Sequence, residues 1–238
     1  MVTRTIMGVP TGLMATSTTD IALFAWLSPS YPVGAFAYSH GLEWAIEAGD
    51  VRDAATLRAW IEVILDHGSG RNDAIIFAAA FRAAAAGESI SGIAELGCAL
   101  AASSERRLET LQQGAAFLSA TRAAWPNGRL EAVSREIGAN TAYPVCFAAA
   151  AAAHGMALRP ALDGYISAFA SNLVSAAVRM SVVGQTAGQG VIAQLAPVAK
   201  HVAEFAETST LDDLGGAAFR ADLSSIHHET QYSRLFRS

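Results

Sequence analysis

Residues 161–183 read ALDGYISAFASNLVSAAVRMSVV. Leu162, Ile166, Phe169, Leu173 and Met180 follow one another at steps of 4, 3, 4 and 7, so all five share one face of an α-helix. Tyr165, Asn172 and Arg179 recur every seven residues and form a polar stripe beside that face. A half-buried arginine is costly without a partner, so Arg179 must bond either a neighbour in the fold or a partner chain. Working outward, the same helical period returns along the chain. Helices are predicted over 20–28, 39–48, 53–67, 72–86, 89–102, 104–124, 130–138, 143–154 and 188–207, with 89–124 readable as one bent rod. Gly68-Ser69-Gly70 is expected to break one helix, Trp125-Pro126-Asn127-Gly128 to form a turn, and Pro197 to kink or split the last helix. Alternating strand patterns never persist. The expected fold is all-α: a single compact bundle of about nine or ten helices.

Composition narrows the function. The 238 residues are 52% apolar and 16% charged, which excludes a disordered chain. Alanine supplies 51 of them, the best helix former and small enough to let helices approach closely. A net charge of −5 is wrong for a general nucleic-acid binder or a basic membrane-surface protein, so neither nucleic acid nor membrane is expected as a partner. Fifteen of the 16 cations are arginine, and the one lysine, Lys200, sits in no phosphate-loop context. The run Gly184-Gln185-Thr186-Ala187-Gly188-Gln189-Gly190 therefore lacks the lysine and spacing of a nucleotide site. Two cysteines, Cys98 and Cys146, stand 48 positions apart and read as reduced core residues of a cytoplasmic protein. Residues 1–19 are broken by Gly8, Pro10 and Gly12 and read as a flexible N-terminal tail rather than a signal peptide; Met14 competes with Met1 as the start. No apolar run reaches the ~20 residues of a membrane span.

Three further stretches exceed what packing asks for. Tyr31 to Glu43 (YPVGAFAYSHGLE) mixes turn residues with aromatics and His40. Glu105-Arg106-Arg107-Leu108-Glu109, running on to Gln113-Gly114, reads as a solvated charged face. The last seven residues hold Tyr232, Arg234, Leu235, Phe236 and Arg237 and no acid, a composition that suits an interface. The chain thus divides into a tail (1–19), one helical domain (20–225) and a partner-docking C-terminal segment (226–238). Motifs for nucleophilic, metal or dinucleotide chemistry are absent.

The 31–43 stretch resembles the N-terminal signature of the UreF family of urease accessory proteins. So do ASNLVSAAVR at 170–179 with Gly184-Gln185-Thr186, and the ending HETQYSRLFRS at 228–238. The resemblance runs from about Asp20 to the last residue. It implies an all-α, often dimeric, cytoplasmic protein that is no enzyme and has no intrinsic cofactor. It further implies a complex with UreD (also called UreH), the GTPase UreG and the urease apoprotein, within which nickel is handled and the GTPase regulated. The residues expected to bind partners are Tyr38, His40, Glu43, Asn172, Arg179, Gln185, Gln189, His228, Glu229, Gln231, Tyr232, Arg234, Leu235, Phe236 and Arg237; none is assigned to catalysis, a cofactor or a metal. The competing reading is a helical nickel carrier using His40, His227, His228 and Glu229.

Overall fold

A computed structural model describes residues 18–238. The N-terminal tail and the choice between Met1 and Met14 lie, but for residues 18 and 19, outside the described residues. Eleven α-helices and two single-turn 3-10 segments follow one another: α1 (Thr18–Leu27), α2 (Leu42–Glu47), α3 (Ala54–His67), α4 (Ser69–Ala86), α5 (Ser91–Ala99), α6 (Ser104–Ala124), α7 (Gly128–Ile137), α8 (Tyr143–Ala153), α9 (Leu158–Arg179), α10 (Gln185–Thr208) and α11 (Phe219–His228), with 3-10 turns at Ala35–Ala37 and Leu211–Asp213. No strand occurs among the described residues, as the sequence predicts.

The centre is α8, which buries nine of its eleven residues. Six of its residues are alanine, so α4 and α6 come close on either side of it. Aromatic rings fill what the alanines leave. Phe117 stacks on Phe147 at 4.9 Å, and Trp26 meets both rings edge-on at 5.5 and 5.7 Å. The outer layer is the α9–α10 pair with α3. On α9, Leu162, Ile166 and Leu173 are buried and Phe169 packs on the core, as their spacing demands.

Several boundaries differ from the sequence reading, each for a local reason. The helix expected from residue 39 begins at Leu42, because His40 (φ 62°) and Gly41 (φ 75°) are left-handed and cannot continue a helix. Gly68 to Gly70 do not interrupt the helical path for long: α3 ends at His67 and α4 starts at Ser69, with Gly68 alone between them. The glycines serve close approach instead, a Cβ on Gly68 falling 2.9 Å from that of Ala218. The rod 89–124 is two helices, divided because Ser103 caps α6 by accepting from Arg106 N (3.1 Å). Pro197 neither splits nor ends α10; it and Ala193, whose carbonyl loses a helical donor, both lie on the exposed side of the helix. Cys98 is half-buried rather than core, Cys146 is fully buried, and both are free thiols.

One helix is absent from the sequence reading. In α11 the buried positions are Ala221, Ser224, Ser225 and His228, at helical spacing but small or polar. Its large apolar side chains, Phe219, Leu223 and Ile226, face outward. A period search for apolar residues finds the wrong face of such a helix.

Candidate functional site

Three segments far apart in sequence meet at one place. The first is the start of α2 (Ser39, His40, Glu43), the second the first turns of α6 (Glu105, Arg106, Glu109), and the third is α11 with the C-terminal segment after it. Gly41 permits the meeting. Its φ of 75° turns the chain into α2, and the main chain at Ser225 passes so near that a Cβ there would lie 2.7 Å from Ser225 N. Ser224 Oγ donates to Gly41 O (2.7 Å), and Ser103 and Ser225 hydroxyls bond at 2.5 Å, pinning α11 to α2 and α6.

The inner part is a buried charge cluster. Arg106 and Glu109, one helical turn apart, form an ion pair with side chains only 9% and 8% exposed. Glu109 also accepts from Gln113 Nε2 (3.2 Å) and Ser238 Oγ (2.7 Å). Burial pushes the Glu109 carboxyl upward, but Arg106, His40 and Ser238 together hold it well below the usual carboxylate range. His40 bonds Ser69 Oγ through Nε2 (2.6 Å), meets Phe169 edge-on and keeps Nδ1 3.9 Å from Glu109. Burial, aided by Arg106, lowers it to about 4, so it is neutral at pH 7. Asp73, facing Tyr165 OH at 3.2 Å, is raised to about 6 by burial. The expectation that 105–109 is a solvated face is therefore wrong for Arg106 and Glu109. Arg106, Glu109, Gln113, Phe117 and Thr121 are one buried stripe of α6, and register with Phe117 was the available signal.

The outer part seats the chain's end. Glu43 accepts from Leu235 N (2.7 Å) and Phe236 N (2.9 Å). Glu105 accepts from Arg234 Nη1 (2.6 Å), and Gln231 Nε2 donates to Glu47 (2.6 Å). Ser39 N donates to Ser238 O (2.7 Å) and Arg237 N to Ala37 O (2.9 Å). Phe236 is buried under the Arg179 guanidinium, 4.5 Å from its ring centroid, and Arg179 also donates to Phe36 O. Arg179 thus finds its partners inside this chain, and burial lowers its proton affinity. Tyr38 is buried with its hydroxyl on Gln112. Glu229 accepts from Ser104 N (2.8 Å) at the start of α6. Tyr232 (105%) and Leu235 (67%) stand out in solvent, next to nothing that covers them.

The remaining predicted residues lie elsewhere. Asn172 lines a cavity of about 570 Å³ beneath the 28–36 loop, together with Tyr31, His40, Asp73, Glu109 and Phe169. Gln185 and Gln189 are exposed at the start of α10. The four residues of the carrier reading do not converge. His227 stacks on Trp44 (4.7 Å), His228 is spent on two glutamates, Glu229 caps α6 and His40 lies inward. Among the described residues no group of three or more His, Cys, Asp or Glu is placed to hold a metal, and no helix is long and apolar enough to cross a membrane.

The fold is an all-α bundle whose buried charges hold its own terminal segment and whose last helix turns apolar side chains outward. Comparison with known proteins makes this particular. The UreF family profile matches residues 51–196, and the chain belongs to that family of urease accessory proteins. It is 55% identical over 220 residues to the urease accessory protein UreF of Methylobacterium radiotolerans, covering 92% of this chain and 96% of that one. Against the UreF of Xanthobacter autotrophicus it is 54% identical (92% and 90% covered), and against that of Azorhizobium caulinodans 51% (92% and 95%). As a member of this family the chain is an accessory protein and not an enzyme.

Proposed function

We propose that the chain is a cytoplasmic scaffold that joins UreD and the GTPase UreG, regulates that GTPase, and so couples nucleotide hydrolysis to insertion of nickel into the urease apoprotein. The observation that carries this reading is the outward apolar edge of α11 and the segment after it: Phe219 (70% exposed), Leu223, Ile226, Tyr232 and Leu235. Exposed large apolar and aromatic side chains are a feature of protein-binding surfaces, and aromatic residues are frequent energetic anchors there. Membership in a family of urease accessory proteins supports partners among the urease maturation factors; UreD and UreG are the ones proposed. Self-association into a homodimer belongs to the same reading, as does nickel as cargo of the complex rather than a resident cofactor.

The test uses side chains that touch little of the chain's own body. Tyr232→Ala and Leu235→Ala leave the melting temperature within a degree or two, because neither side chain is buried. Each weakens co-purification with UreD and UreG by about thirty-fold if it is an anchor worth ~2 kcal/mol. Unchanged assembly in the double variant removes this surface from the interface. Calorimetry with Ni²⁺ on the isolated chain separates the carrier reading, which requires a stoichiometric micromolar site.

A further inference from the structure

We propose that the cavity beneath the 28–36 loop is a binding site for a small organic amine, with Asp73 taking the ammonium group at its base and the apolar walls taking a hydrocarbon or aromatic body. At about 570 Å³ the cavity has the size at which folded proteins hold small molecules. Leu27, Tyr31, Phe36 and Phe169 form its walls, and Phe36, 70% exposed, stands at the mouth. Pro29 and Pro32 stiffen the loop that roofs it, and the Tyr31 hydroxyl ties that loop to Thr121 on α6 (2.8 Å). The Asp73 carboxyl also reaches a smaller cavity of about 260 Å³ beside α11, which lacks these aromatic walls.

The charges at the base decide the ligand. Glu109 is already engaged by Arg106, Gln113 and Ser238. His40 is neutral at pH 7, and its Nδ1, buried and 3.9 Å from Glu109, completes no hydrogen bond. Asp73 has no cation in bonding contact among the described residues; its one hydrogen bond comes from Tyr165 OH. Burial outweighs the more distant Arg106 and raises the Asp73 carboxyl to about 6. Arg106 and Glu109 offset each other, so Asp73 is the uncompensated charge of the cavity. An ammonium group supplies what is missing there, a positive charge with three N–H donors for a carboxylate that has lone pairs to spare. A divalent metal ion would find one free carboxylate in a largely apolar space, and among the described residues no group of three or more His, Cys, Asp or Glu is placed to hold it. A neutral apolar molecule would fill the walls and leave Asp73 without a counter-ion. The inference concerns this chain alone and does not rest on the partners proposed above.

The experiment is an NMR titration of the ¹⁵N-labelled full-length chain at about pH 7.5, where an alkylammonium and a carboxylate are both charged. The probes are benzylamine and its uncharged counterpart benzyl alcohol. Benzylamine is expected to shift the amides of Tyr31, Phe169 and Asn172, which face the larger cavity alone, along one saturable curve. Benzyl alcohol is expected to bind at least about tenfold more weakly, the worth of one charge-assisted contact. Asp73→Asn, which keeps the shape and removes the charge, brings benzylamine down to the level of the alcohol. Ser171→Phe, which fills the cavity from α9, abolishes binding of both. The proposal is overturned if benzylamine gives no saturable shift up to about 10 mM, if the alcohol binds as tightly, or if Asp73→Asn binds benzylamine as the parent chain does. Shifts confined to Ala221 and Asp222, on the smaller cavity, overturn it as well. Should either variant fail to fold, the comparison of the two probes on the parent chain still decides.

Discussion

Arg106 and Glu109 show how one pair of side chains anchors the site. Each alone would be an uncompensated charge in the interior, so Arg106→Leu or Glu109→Leu is expected to cost about 3–5 kcal/mol in urea denaturation, while the double replacement recovers much of that loss. Because Glu109 is depressed, its contribution is present above the ordinary carboxylate value and is lost as pH falls through its folded value. His40 adds in the same sense: held neutral down to about 4, it lets the unfolded chain take the proton first, and stability declines as pH drops from about 6.5 to 4. Asp73 opposes them. Its folded state binds the proton more tightly, so it is a penalty above about pH 6 that vanishes below the ordinary value of 3.8. Asp73→Asn is therefore expected to raise the melting temperature at about pH 8 and to leave it nearly unchanged near pH 4. A thermal scan across pH checks both signs.

At the scale of the helix, α11 is the informative element. Its inner face is small because it passes against the backbone of the α2 turn, and its outer face is apolar. Gly41→Ala brings two costs together. A left-handed residue with a Cβ costs about 1–2 kcal/mol, and the new methyl overpacks Ser225 for about 1–3 more. The expected outcome is a loss of about 2 kcal/mol or more, with hydrogen exchange rising in 219–228 ahead of α8. Equal protection in the variant would mean that α11 is held elsewhere.

For the whole molecule, the C-terminal segment is a strap laid over the helical body, with Phe236 reaching the core and Tyr232 and Leu235 left outside. Removing residues 232–238 takes away the burial of Phe236, worth about 1.5–3 kcal/mol, and uncovers Glu43, Glu105 and Glu109. The truncated chain should keep its helical circular dichroism, melt several degrees lower, and lose stability further at low salt, where the uncovered glutamates repel one another most. Collapse of the helical signal would place the segment among the core elements instead.

The all-α class, the α9 face and ten of the eleven helices among the described residues are legible in the sequence, because apolar period and caps are local properties that each segment carries by itself. The interest of the 31–43 and 228–238 stretches is legible too, through the mismatch between their composition and a solvated loop or tail. Tertiary structure alone decides that these two stretches meet, that Glu105 and Glu109 point inward to receive them, and that Arg179 finds Phe36 and Phe236 within its own chain. It also alone decides α11, whose buried face is made of Ala221, Ser224, Ser225 and His228. The reason is the same in each case. A charged or small residue carries no sign of where it will be buried; the partner that makes its burial tolerable, lying 57 to 199 positions away, determines that.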